Sequence, residues 1–223
     1  MTELRKIFMR IPKSRWGRQA FILQLKKNAR ILDVGCGNNS AFYTKVLSPS
    51  CIYHGIDIGD YNNSESSKKL MDAYHIVKNP EQFAEKIARL DIMFDAVISS
   101  HNIEHCNQPE ETLAAICGKI KKGGLLYLAF PQKKTVSFPS RQGTLNFYDD
   151  PTHIYLPDPK RLIHIMRKYG MEILFSKAAY RPVYYFLWGG VLEPLSFLIN
   201  RTMPGTYSFW GFETVIWARK NNI

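Results

Sequence analysis

The chain is expected to fold as an α/β domain, a sheet with helices on both faces. Three observations predict this. Short apolar runs of strand length alternate with stretches of helical periodicity over most of the 223 residues. The first run, Ile31-Leu32-Asp33-Val34, ends in the turn Gly35-Cys36-Gly37-Asn38-Asn39-Ser40. The second, Cys51 to Ile56, ends at Asp57, one helix and one strand later.

The elements follow in order. Residues 14 to 28 mix Trp16, Phe21, Ile22 and Leu25 with Arg and Lys, which predicts a lead-in helix with an exposed basic face and an apolar face on the sheet edge. At Gly35 and Gly37 the missing Cβ lets a ligand approach the backbone. Ala41 to Leu47 then form a helix that Ser48, Pro49 and Ser50 terminate. His75 to Val77 is a short edge strand, and Phe83, Ala84, Ile87 and Leu90 lie at helical spacing. Phe94 to Ser100 is a buried strand that delivers Ser99, Ser100, His101 and Asn102 to the edge holding the glycine turn.

Pro109 and Glu110 open a helix with the stripe Leu113, Ile116, Cys117, Ile120, and Lys121-Lys122-Gly123 end it. Leu125 to Phe130 is a strand stopped by Pro131, followed by a polar loop to about Asp150. Pro157-Asp158-Pro159 caps a helix that turns Leu162, Ile165, Met166 and Tyr169 inward and ends at Gly170. Met171 to Phe175 and Phe212 to Ala218 are the last strands. Between them, Pro182 to Asn200 is rich in Tyr, Phe, Trp, Leu and Ile and holds Glu193 as its one charge. A membrane-spanning helix is disfavoured there by Gly189, Gly190, Glu193 and Pro194; a cover of the sheet, a lid over an apolar substrate and an interfacial segment remain open.

The length suits one large domain. A net charge of +11 permits nucleic acid, an anionic membrane or an anionic substrate as partner. The bases are dispersed apart from Arg5 to Arg18 and Lys26 to Arg30, and no nucleic-acid module is recognisable, so nucleic acid is not favoured. Cys36, Cys51, Cys106 and Cys117 lack paired C-x-x-C spacing, so they read as reduced, packed thiols and no metal site is expected. The charged N-terminus makes no signal-peptide core, and a cytoplasmic address follows, with peripheral membrane contact as the alternative.

Two cofactors suit a glycine turn and a distal acid. A dinucleotide wants a third glycine where Ser40 stands, and Asp33 would face its pyrophosphate as a like charge. S-adenosylmethionine carries no phosphate; Asp33 can take its ammonium and Asp57 its ribose hydroxyls. The residues therefore favour S-adenosylmethionine.

With these motifs in order, the chain resembles a class I S-adenosylmethionine-dependent methyltransferase over about residues 28 to 175. Ile31 to Ser40 is similar to that family's first motif, Gly55 to Ile58 to its ribose-binding strand end, Phe94 to His105 to the fourth-strand motif, and Ile120 to Pro131 to the fifth. Asp149 to His153 with Pro157 to Gly170 resembles the distal half of the small-molecule subgroup, met in bacterial quinone and glycan-modifying enzymes.

The resemblance implies a Rossmann-like sheet of seven strands, mostly parallel, with the last strand antiparallel. It implies a methyltransferase domain over 28–223 after a basic lead-in helix over 1–27, with the loop 132–160 and the apolar insertion 180–211 covering the acceptor site. Asp33, Gly35, Cys36 and Gly37 would hold the methionine end, Asp57 and Ile58 the ribose and adenine, and Ser100 and His101 would pass near the sulfonium. Asn39 replaces a frequent glycine, and Asn79 is the nearest substitute for the adenine-binding acid after the third strand.

The implied function is methyl transfer to a small-molecule, glycan or lipid-linked acceptor, oxygen being the favoured atom. A non-catalytic cofactor-binding scaffold and an NAD(P)-dependent oxidoreductase are the alternatives. A hydroxyl acceptor would need a base, for which His101, His105 and His153 are the candidates. Each has a plain structural alternative: Glu104-His105 can hydrogen-bond a helix start and His153 can brace its loop.

Overall fold

A computed structural model describes residues 14–222. Residues 1–13, with most of the basic N-terminal stretch, lie outside the described residues. Seven strands form one sheet in the order β3-β2-β1-β4-β5-β7-β6. They are β1 (Arg30–Val34), β2 (Ile52–Asp57), β3 (Ala73–Ile76), β4 (Phe94–Ser100), β5 (Ile120–Pro131), β6 (Met171–Lys177) and β7 (Glu213–Lys220). Strands β1 to β5 run parallel, and β7 lies antiparallel between β5 and β6; the resemblance implies the antiparallel last strand. The strand order reverses direction between β1 and β4, so the crevice at their carboxyl ends is the place for a ligand.

The helices are α1 (Arg18–Leu23), α2 (Ser40–Leu47), α3 (Glu65–Lys68), α4 (Phe83–Ala88), α5 (Pro109–Gly118), α6 (Pro159–Lys168), α7 (Val183–Leu198) and α8 (Thr206–Trp210). Alternation along each strand feeds two cores. Leu32, Val34, Ile56, Phe94 and Val97 pack with Ile87, Leu113, Ile116 and Leu162 of α4, α5 and α6. Ile31, Tyr53, Ile98, Tyr127 and Trp217 pack on the other face with Phe21 and Ile22 of α1.

Several expectations need correction. The lead-in helix is shorter than 14 to 28 and lies over the sheet face, where Phe21 meets Tyr127 and Trp217, not along the edge. Helix α5 stops at Gly118, because Ile120 already pairs with Phe94; Lys121, Lys122 and Gly123 belong to β5. Asp158 caps α6 by accepting from the Lys160 N–H, and Leu162, Ile165 and Met166 are buried, but Tyr169 is exposed at the helix end. The polar loop after β5 is built around Asp149, whose Oδ2 accepts the N–H groups of Arg141, Leu145 and Asn146 at 2.8 to 3.0 Å.

Gly189, Gly190 and Pro194 do not break the apolar segment, which forms one helix of 16 residues. Gly189 lets α7 approach the turn before α8: a Cβ there would lie 2.2 Å from the Gly205 carbonyl oxygen. Among the described residues no helix is long and apolar enough to cross a membrane.

Candidate functional site

The site grows from the ends of β1, β2 and β4. Gly35 has φ +79°, and its N–H donates to the Ile56 carbonyl at 2.9 Å. A Cβ on Gly35 would come within 2.9 Å of the Asn102 side chain, so the segment after β4 folds directly over the glycine turn. Asn38 and Asn39 continue the turn in the left-handed region, which asparagine tolerates. Where a glycine is frequent, Asn39 serves a second purpose: its Oδ1 accepts from the Ser64 N–H and hydroxyl, both at 2.8 Å. The loop after β2 is thereby tied to the turn.

Asp57 is buried at the end of β2 and its Oδ1 accepts from the Ile58 N–H at 2.8 Å. Burial pushes its carboxyl up to about 6, partly offset by backbone N–H groups of Ile58, Gly37 and Gly59. A buried acid of this kind, facing the glycine turn and without a cationic partner among the described residues, fits a ribose hydroxyl pair. Asn79 is exposed and caps the turn at Pro80–Gln82 by accepting from the Glu81 N–H. Cys36 is a packed thiol whose pKa burial raises.

Asp33 is held more tightly than its sequence position indicates. Its Oδ2 receives Arg18 Nη2 at 2.7 Å, Tyr53 Oη at 2.7 Å and the Ser40 hydroxyl. Arg18, assigned by sequence to an exposed basic face, is thus turned onto the β1 acid. Nothing in a run of Arg and Lys singles it out.

His101 follows β4 with φ +51°, the left-handed region, which is uncommon for residues other than glycine. Its ring bridges two carboxylates, Nδ1 to Glu104 at 3.2 Å and Nε2 to Glu213 at 2.8 Å. Burial disfavours the charged ring, but hydrogen bonds from Glu104 and Glu213 prevail and push it up to about 10, so it keeps its proton at neutral pH. Glu213 in turn is lowered by His101, against its own burial. Sequence reasoning missed Glu213, which opens β7 ahead of the apolar run Val215 to Ala218. His105 and His153 meet elsewhere, ring centroids 4.7 Å apart, beside Glu104. A cavity of about 360 Å³ adjoins Ser100 and is lined by Arg18, Tyr127, Tyr180, Tyr207 and Glu213.

Comparison with known proteins is decisive for the family. Residues 9–175 match the family model described as a methyltransferase domain. The chain belongs to this methyltransferase family. Its cofactor is S-adenosylmethionine, and the glycine turn and Asp57 fit that group. The chain is 26% identical over 154 residues to a ubiquinone biosynthesis O-methyltransferase of Saccharophagus degradans, covering 65% of this chain and 64% of that protein. It therefore spans about two thirds of that relative's length. In fold it is similar to an S-adenosylmethionine-dependent methyltransferase of Archaeoglobus fulgidus (TM-score 0.54, 21% identity, 98% of this chain and 94% of the other). A methyltransferase of Mesorhizobium loti gives TM-score 0.60 at 13% identity, over 95% and 100% of the two chains.

Proposed function

We propose that the protein transfers the methyl group of S-adenosylmethionine to an oxygen of a small-molecule, glycan or lipid-linked acceptor. The observation that carries this reading is the meeting of the Gly35–Gly37 turn and Asp57 at the carboxyl ends of the paired strands β1 and β2, with a tyrosine-lined cavity beside Ser100 at the end of the neighbouring β4. Asp57 and Ile58 would hold the ribose and adenine; Gly35, Cys36 and Gly37 give room for the methionine end. The three bonds to Asp33 all fall on Oδ2, leaving Oδ1 as the acceptor we assign to the ammonium.

The donor supplies a methyl carbon already activated for in-line displacement, so positioning and exclusion of water carry most of the rate. Ser100, which lines the cavity, and the charged His101 that follows it would border the place of transfer. His101 holds its proton between two carboxylates, so it serves better as a fixed charge than as a base. The distant ubiquinone O-methyltransferase supports oxygen as target atom. A cytoplasmic protein touching a membrane through α7 suits a lipid-linked acceptor.

Calorimetry with S-adenosylhomocysteine tests donor binding: micromolar affinity is expected, weakened at least tenfold in Asp57→Ala, and no heat at millimolar ligand would overturn the reading. Labelled methyl donor in cell extracts, with mass identification of the product, then names the acceptor. Recovery of a methylated amine instead of a methyl ether would overturn the oxygen assignment.

A further inference from the structure

Two segments far apart in sequence meet beside the site. One is the turn Ile103–His105 after β4; the other is Asp150 to Tyr155 in the loop after β5. The N–H groups of Ile154 and Tyr155 both donate to the Glu104 carbonyl at 3.0 Å, so the backbones are joined directly. This contact brings His105 and His153 together.

The hydrogen bonds around the two rings settle which nitrogen is bare. Nδ1 of His105 lies 2.9 Å from the Thr152 hydroxyl oxygen and 3.1 Å from the Thr152 carbonyl oxygen. The Thr152 hydroxyl gives its hydrogen to Asp150 Oδ1 at 2.6 Å, and a carbonyl can only accept. Nδ1 of His105 therefore carries the proton and Nε2 presents its lone pair. Nδ1 of His153 lies 2.6 Å from the Phe147 carbonyl oxygen, which assigns the same tautomer. Nε2 of His153 is 3.9 Å from Asp150, beyond a hydrogen bond.

The third member is Glu104, which is completely buried. Its Oε1 accepts from His101, but its Oε2 is sealed from solvent and has no hydrogen-bond partner among the described residues. A buried carboxylate oxygen left unsatisfied is costly, and such a group calls for a partner. One donor atom from each of Glu104, His105 and His153 lies within 4.8 Å of the others.

We propose that Glu104, His105 and His153 form a binding site for a divalent transition-metal ion of the zinc type. Two neutral imidazoles and one carboxylate are donors for zinc and its neighbours, not for magnesium or calcium, which take oxygen. Both Nδ1–H groups bond backbone carbonyl oxygens, the outer contact that orients metal-binding histidines. Around zinc, donors at 2.0–2.1 Å stand about 3.4 Å apart, so the three side chains draw in slightly when the ion enters. Three protein donors leave a coordination position for a small ligand. The ion would clamp the turn after β4 to the loop over the acceptor side. No metal site is expected from the sequence because the cysteines lack paired spacing; Glu104 and His105 are neighbours, but the third donor, His153, comes from a distant loop. The inference stands apart from the choice of acceptor.

Calorimetry and visible absorption with Zn²⁺ and Co²⁺, on chelator-free protein lacking any histidine tag, test it. Expected are one equivalent of Co²⁺ bound per chain, absorption bands of bound Co²⁺ that Zn²⁺ displaces, and a rise in melting temperature with Zn²⁺. Glu104→Gln keeps the shape of the side chain and removes its charge; it should weaken binding at least tenfold, as should His105→Ala and His153→Ala. The exposed His164→Ala should bind as wild type. Absence of saturable binding by the wild type overturns the proposal. So does unchanged affinity in Glu104→Gln together with a His105→Ala/His153→Ala double variant, or loss of binding in His164→Ala alone.

Discussion

Arg18 and Asp33 form a 2.7 Å ion pair beneath the glycine turn, joining the segment that precedes the sheet to its first strand. Asp33 is 1% exposed, while 29% of the arginine side chain meets solvent. Removing the arginine leaves a buried carboxylate with Tyr53 and Ser40 as its partners among the described residues. Arg18→Met is expected to cost about 3 kcal/mol, near the lower end for breaking a buried pair because the arginine is partly hydrated. Urea denaturation reads this directly. A loss below about 0.5 kcal/mol would mean the pair behaves as a surface contact.

Asp57 gives a pH dependence of definite sign. Its folded-state pKa is raised to about 6, against about 3.9 in the unfolded chain. Its stabilising contribution to the free protein is fully present below pH 4 and is lost as pH rises through 6. Asp57→Asn should therefore raise the melting temperature at pH 8, with the gain shrinking toward pH 5. Donor binding uses the ionised carboxylate, so wild-type affinity for S-adenosylhomocysteine should fall as pH drops below 6. Melting curves and calorimetry at pH 5 and pH 8 check both. A stabilised protein that binds worse shows that the acid is kept for the ligand.

The alternation of strands and helices was legible because it rests on local periodicity, and the antiparallel last strand followed from the resemblance that the ordered motifs carry; the order of strands in the sheet was not read from the sequence. The positions of Asp57 at the end of β2 and of the glycine turn after β1 were legible from local pattern. Arg18, Glu213 and the His105–His153 contact were not, since each depends on which distant segments the sheet brings together. The end of α5 was misplaced because the pairing of Ile120 with Phe94 outweighs the helix-ending signal of Lys121 to Gly123. The length of α7 was missed because Gly189, a breaker in isolation, is a packing surface once α8 lies against it.

Arg141 couples the two segments that the sequence places over the acceptor. It is 3% exposed, pairs with Glu193 at 2.7 Å and donates to Ser196 at 2.7 Å, while Trp210 Nε1 donates to Glu193 at 2.9 Å. Arg141→Ala should cost about 3–5 kcal/mol by leaving Glu193 without its cation. The double variant Arg141→Met/Glu193→Leu should recover much of that loss, because matched apolar side chains replace a buried pair at little cost. A double-mutant cycle in urea measures the coupling. Hydrogen exchange should quicken in α7 and α8 of the single variant while the sheet is unchanged; uniform exchange would show the two segments are held independently.

Helix α7 presents to solvent an apolar stripe with no internal explanation. Val183, Leu187, Val191 and Leu198 are 61% to 80% exposed, with Phe197 beside them. Exposed arginines, Arg181 and Arg201, flank the helix at its two ends. Apolar side chains on a helix bordered by cations suit the headgroup region of an anionic membrane. The protein is expected to co-sediment with vesicles containing phosphatidylserine and to be released by salt, since the electrostatic part is screened. Leu187→Glu/Val191→Glu should reduce binding at least fivefold and leave the melting temperature unchanged, because these side chains already lie in water. Equal recovery in the supernatant with and without vesicles would overturn the membrane contact and leave the stripe as a surface for a protein partner.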